Sequence, residues 1–221
     1  MDGVHVVGPV EGLDTAVILG PCVLGHRSTL ANDDPLVLGA GVVIRANAVL
    51  YQGSVIGAGT QIGHGALIRE GNVVGDRCSI GSSSQLEPGN RLGAGSRVHS
   101  GCFLSSTTFG EAVFCGPHVV FTDDPHPPCP RYAECLRGAT VGDRAAIGAG
   151  TVVLPGVDIG AGALIGAGSV VTRAVEAGDV VAGNPARRFG RRDELPCFAG
   201  LFPHAYAWET VSVAHTLRST S

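Results

Sequence analysis

Three side chains capable of proton chemistry stand within four positions of one another: Asp123, Asp124 and His126. A neutral imidazole accepts a proton near pH 7, and a neighbouring carboxylate can hold its ring in place. Asp123, Asp124 and His126 are therefore the candidate catalytic group, a general base with an orienting partner. The run Thr122-Asp123-Asp124-Pro125-His126-Pro127-Pro128-Cys129-Pro130-Arg131-Tyr132 carries four prolines, which rule out strand and helix. A loop must present them. Elsewhere, His99 with Arg69 and Glu87 reads as a candidate substrate-binding surface and His118 beside Gly116-Pro117 as a further candidate contact, with a surface or packing role the alternative for each histidine. His5, His26, His204 and His215 belong to no constellation.

What positions this loop is a repeat of six. Leu38, Ile44, Leu50, Ile56, Ile62, Ile68, Val74, Ile80, Leu86, Leu92, Val98 and Leu104 place an aliphatic side chain at every sixth position. The cycle returns between Val141 and Val171. Glycine often follows the aliphatic residue, as at Gly57, Gly63, Gly75 and Gly81, and a small residue lies four positions after it. A fixed period defines the architecture before any local propensity is weighed. Six fits neither an amphipathic helix nor an alternating strand. It fits a short flat strand followed by a corner. Three such units close a coil of eighteen residues, and successive coils stack at about 4.8 Å. The aliphatic residues then point inward, and glycine relieves the corner. After Leu104 the register slips by one, making Phe109, Cys115 and Phe121 the inward residues, and the repeat stops from Thr122 to Thr140.

Seven or eight coils are expected, divided as a lead-in and cap over 1–37, the column over 38–176 with an inserted loop at 122–140, and an exit and tail over 177–221. The tail, with Phe198, Phe202, Tyr206 and Trp208, reads as a short helix covering the open coil end, which is an unpaired sheet edge, or as a segment packed on a neighbouring subunit.

The 34 glycines and 13 prolines of this 221-residue chain suit a fold rich in corners. A net charge of −4 without any basic run argues against a nucleic-acid partner. The seven cysteines are odd in number and form no CxxC pair. Cys78 and Cys102 fall at the small interior position and Cys115 at an inward anchor, so buried, reduced thiols are expected. No leader and no bilayer-spanning apolar run stands out, so no membrane association and a cytoplasmic setting are expected.

The repeat resembles that of the hexapeptide-repeat family, which implies an all-β, left-handed parallel β-helix. The hand comes from the resemblance, because general chirality rules favour right-handed crossovers. Val113-Phe114-Cys115-Gly116-Pro117-His118-Val119-Val120-Phe121-Thr122-Asp123-Asp124 resembles the signature with which sugar N-acetyltransferases of this family enter their acceptor loop, with Asp123 in place of the usual Asn. Phe121 joins the substrate candidates on that likeness. Ile147 to Gly156, Ile165 to Thr172 and Val181-Ala182-Gly183-Asn184-Pro185-Ala186-Arg187 resemble the last coils and exit motif of the acyl-coenzyme A-dependent branch.

The resemblance implies acetyl-coenzyme A as acyl donor, no metal, and a homotrimer with active sites between subunits. The acceptor it favours is an amine on a nucleotide-linked sugar. Gly148, Ala149, Gly166, Ala167, Asn184 and Pro185 would admit the pantetheine chain, and Arg173, Arg187 and Arg188 its phosphates, which arginine suits as a planar multi-donor cation. His126-Pro127 also resembles a step in enzymes of this fold that acetylate sugar hydroxyls, so O-acetylation stands as the alternative. Many amino-sugar enzymes of the family use no protein base. Two readings from other classes are a metal hydratase like the γ-carbonic anhydrases, whose close histidine pair is missing here, and a non-catalytic assembly module.

Overall fold

The computed structural model describes residues 3–28 and 33–209; His215 and the end of the tail lie outside the described residues. The chain winds as a left-handed parallel β-helix whose strands form three flat faces. Face A has nine strands, face B eight and face C ten. From Val4 to Val171 each strand pairs with the third one along the chain. Val49–Tyr51, Leu67–Ile68 and Gln85–Leu86 follow one another up face A in an eighteen-residue register. Val55–Ile56 and Val73–Val74 do so on face B, and Gln61–Ile62 and Ser79–Ile80 on face C.

Within each two-residue strand from Val55 to Val171 the second residue points inward. The twelve aliphatic residues from Leu38 to Leu104 are each at most 3% exposed. Fully burying such a side chain contributes about 1.5–3 kcal/mol, and stacking them coil on coil makes one continuous core. The glycine after each anchor answers to the same stacking. A Cβ on Gly57 would lie 2.4 Å from the carbonyl carbon of Gly75, one coil on. Positive φ falls two positions later instead. Glycine mostly fills that place, although Arg77, Ser83 and His118 adopt it at φ 54°, 57° and 58°.

Polar residues inside the corners tie the coils together. Asn72 accepts from the backbone and side-chain N–H of Asn90, and Asn90 Oδ1 accepts from the backbone N–H of Thr107. This ladder fixes the edge between faces A and B.

Two irregularities set the site. Phe109 and Phe121 pair with Leu92 and Leu104 at a spacing of seventeen, one residue short. Their rings meet edge-on at 5.4 Å inside the prism. Val141 then stacks on Phe109 after thirty-two residues, so the segment between Phe121 and Thr140 is ejected without breaking the register on either side. It leaves at the A–B edge. Residues 122–131 are free of strand and helix, as the prolines require, and Tyr132–Cys135 makes a single helical turn.

The column is longer than the seven or eight coils expected. Val4–Val6, Val10–Glu11 and Val17–Leu19 already pair in register on faces A, B and C. Their inward pattern is too irregular to show in the sequence. At the other end, Arg187–Arg191 turns back antiparallel on Asp179–Ala182 to close face C. The described tail holds 3-10 turns at Arg192–Glu194 and Ala207–Glu209, with no α-helix. It runs back to the B–C edge. There the buried Arg192 donates to the carbonyls of Arg144 and Gly162 at 2.6 and 3.0 Å, beneath the ring of Tyr206 at 3.8 Å.

Candidate active site

The ejected loop is built on Asp123. Its Oδ2 accepts from Ser105 Oγ at 2.8 Å and Ser106 Oγ at 2.7 Å, both on the A–B edge one coil below. Its carbonyl accepts from the Arg137 backbone at 2.8 Å, so departure and return of the loop are tied at one point. Gly138 then passes so close to Ser106 that a Cβ would sit 1.6 Å from the Ser106 carbonyl oxygen. Only glycine fits there. Asp124 Oδ1 accepts the backbone N–H of His126 at 2.9 Å, a turn-forming bond typical of aspartate. Both aspartates thus shape the loop. The exposed His126 ring makes no hydrogen bond among the described residues, so neither carboxylate orients it in the free chain.

The C–A edge carries the second feature. Gly65, Ser83, Gly101, His118, Gly150 and Gly168 follow one another up this corner at positive φ. The His118 ring lies over Gly101, where a Cβ would come within 2.4 Å of its Nδ1. Above His118 the corner is bare. A Cβ on Gly150 or Gly168 would meet nothing within 4 Å, and Ala149 and Ala167 are exposed beside them. The strip leads to the exposed Asn184-Pro185, a cis peptide. Gly148, by contrast, is required by stacking, since its Cβ would stand 2.4 Å from the Ala167 amide nitrogen, and Gly166 is held nearly as closely by Ala182. The open surface is therefore made by Ala149, Gly150, Ala167 and Gly168.

Arg173, Arg187 and Arg188 come together at the last coil, lining a pocket of about 160 Å³ with Glu176 and Asp179. Arg188 Nε lies 3.0 Å from Asp179 Oδ2, whereas Arg173 and Arg187 carry no ion pair among the described residues.

The remaining substrate candidates are not gathered in one place. Arg69 sits on the A–B edge between Glu70 and Glu87, at 3.0 and 2.9 Å. Glu70 is buried and takes a further bond from Ser28 Oγ at 2.7 Å. Burial pushes its carboxyl up, but its own backbone amide, Ser28 and Arg69 outweigh that and hold it below the ordinary value. Arg69 and Glu87 thus neutralise each other on one edge, while His99 and His118 stand on another. Phe121 is fully buried against Phe109 and packs the core, with no face left for substrate. The likeness over residues 113–124 implies a substrate contact for Phe121, whereas its place as an inward anchor of the repeat assigns it to the core.

The serine partners of Asp123 and the contact of Ser28 with Glu70 were missed by sequence reasoning. Spacing of one coil could have found the first; the second spans 42 residues and left no local sign. Cys22, Cys78, Cys102 and Cys115 are buried free thiols, and burial pushes the Cys115 thiol well up. Among the described residues no group of His, Cys, Asp and Glu could hold a metal ion, and no helix is long and apolar enough to cross a membrane.

The family model for the bacterial transferase hexapeptide (six repeats) matches residues 35–70 and 138–173, and that for the hexapeptide repeat of succinyl-transferase matches 71–106. These matches cover 35–106 and 138–173, the repeating part of the three-faced column, which is similar in sequence to the hexapeptide-repeat family. Among solved structures, it is similar to a hexapeptide-repeat acetyltransferase from Vibrio cholerae in complex with acetyl-coenzyme A: 24% identity, 52% of this chain and 68% of that one, TM-score 0.48. It is also similar to serine acetyltransferase from Neisseria gonorrhoeae, at 26% identity over 53% of this chain and 43% of that one, TM-score 0.42. A GDP-perosamine N-acetyltransferase from Caulobacter crescentus, with coenzyme A and GDP-perosamine, aligns at 23% identity over 83% and 58%, TM-score 0.32. No curated protein matches the chain.

Proposed function

We propose that this protein is an acyl-coenzyme A-dependent acyltransferase that acetylates an amine on a nucleotide-linked sugar or a similar small molecule. The observation that carries the reading is the bare C–A strip from Ala149 to Gly168, with a pocket at the last coil lined by Arg173 and Arg187, which carry no ion pair among the described residues. An extended amide chain can lie along such a strip, and Arg173, Arg187 and Arg188 can meet phosphates at its end. The transferase description of the matched repeats agrees.

The loop and the strip leave opposite edges of face A, so within one prism they do not converge. This supports a homotrimer in which the loop of one subunit meets the strip of its neighbour. The acceptor nitrogen attacks the thioester carbonyl carbon, the carbon–sulfur bond breaks, and coenzyme A leaves as the thiol. The proton released from the nitrogen passes through His126 to the departing sulfur; the His126 ring is exposed and makes no hydrogen bond among the described residues. That same freedom favours the second reading, attack by a sugar hydroxyl, which needs a base more than an amine does.

The test is consumption of acetyl-coenzyme A against a panel of amines, amino sugars and their nucleotide conjugates, with product mass separating N- from O-acetylation. His126→Ala is expected to lower kcat by about 10²–10⁴-fold with KM for the donor unchanged. An unchanged kcat removes His126 from proton transfer. Absence of turnover with every acceptor overturns the reading.

A further inference from the structure

Face C carries a groove of about 660 Å³ over its N-terminal coils. Its floor is one register row: Gln61, Ser79 and Arg97 are outward partners in successive strands. Arg45 enters from the strand below, its Nη2 donating to Gln61 Oε1 at 3.0 Å. Arg77 forms one rim from its positive-φ corner, with its stem beside Gly59. The other rim is His64, Ser82 and His99-Ser100 on the C–A edge. Phe114 lies in register beyond Arg97, and the His99 ring meets it edge-on at 5.1 Å.

The charge in this groove has one sign. It holds three guanidiniums and two imidazoles and is lined by no carboxylate, in a chain whose net charge is −4. Arg69, Arg131, Arg188 and Arg191 have all found acidic partners, whereas Arg45, Arg77 and Arg97 carry no ion pair among the described residues. The neighbouring Asp76 does not line the groove and accepts the backbone N–H of Ala58 at 2.9 Å on the B–C edge. From Arg45 to Arg97 is three coil steps, roughly 14 Å at sheet spacing. Planar forks at that separation match the oxygens of an extended anion with more than one charged group.

We propose that this groove is a binding site for an extended polyanion bearing phosphate or carboxylate groups. Its C–A rim continues through His118 to the bare strip, so the anion is the charged part of the acceptor; that last step rests on the acyltransferase reading. Binding is tested without any acyl donor, which keeps failure of the groove distinct from failure of acyl transfer. The full chain is titrated by calorimetry with tripolyphosphate and, separately, with trigalacturonate at 50 mM salt. At least one is expected to bind, tripolyphosphate alone marking a phosphate site and trigalacturonate alone a carboxylate site. Arg77→Gln with Arg97→Gln is expected to weaken binding by at least about tenfold, since charge-assisted bonds are the strong ones. Raising salt to 200 mM is expected to weaken the wild type further. Both substituted side chains are exposed, so an unchanged far-ultraviolet circular dichroism spectrum and Tm certify the fold. Failure of both anions to bind, or equal affinity in the folded double variant, overturns the proposal.

Discussion

Two glycines two residues apart separate what stacking demands from what a ligand would need. In Gly148→Ala the new methyl carbon would stand 2.4 Å from the Ala167 nitrogen, 2.7 Å from its Cα and 2.8 Å from the Gly166 carbonyl carbon, all backbone of the next coil. Ordinary contact would require that coil to move by about 1 Å, and overpacking of this kind costs about 1–3 kcal/mol. The smaller entropy of the unfolded alanine chain returns about 0.4–1 kcal/mol at most. In Gly150→Ala the methyl meets nothing within 4 Å, and only the left-handed φ of 68° is unfavourable, at about 1–2 kcal/mol offset by the same gain. With about 2–4 °C of Tm per kcal/mol for a chain of this size, Gly148→Ala is expected to melt below wild type by up to about 10 °C and Gly150→Ala by up to about 6 °C. Thermal unfolding followed by circular dichroism decides the order. A Gly148→Ala protein at least as stable as Gly150→Ala would refute the stacking argument.

Phe121→Ala removes a fully buried ring from the short coil and is expected to destabilise by about 3–5 kcal/mol, read as a lower urea midpoint; a near-neutral effect would contradict its place in the core. Glu70 has an ordinary value of 4.5 and is held below it in the fold, so the stability it contributes is complete above 4.5 and is lost as pH falls through the folded value. The wild type should therefore lose Tm on acidification below 4.5, and Glu70→Gln should melt lower at pH 7 but change less over that range. Parallel pH profiles would show that the carboxylate contributes no linkage.

The sequence was most readable where a side chain repeats one environment. Ile56, Val74 and Leu92 each point inward from face B in successive coils, so a spacing of eighteen predicts their stacking. The ejected loop was equally plain, because prolines interrupt a period that resumes in register at Val141. The first coils were not legible, since Val4, Val10 and Val17 pair through an irregular corner and a long connection before Leu36. Pairing of side chains across coils was hidden as well. Asp123 reads as a partner for the nearby His126, yet it binds Ser105 and Ser106, which coil stacking brings beneath it. The row of Gln61, Ser79 and Arg97 was present in the spacing, but outward positions vary freely and their shared charge emerges only when Arg45 and Arg77 fold beside them.

The central claim, that the C–A strip receives the acyl donor, is tested most directly by thermal unfolding with and without saturating acetyl-coenzyme A, for wild type and for Ala149→Trp with Ala167→Trp. Ligand at a hundred times its Kd adds about 2.7 kcal/mol, or roughly 5–10 °C at this chain length. The wild type is expected to shift by that amount and the double variant by less than about 1 °C, because indole rings would occupy the exposed strip without touching the core. No shift in the wild type, or an equal shift in the variant, would contradict the account.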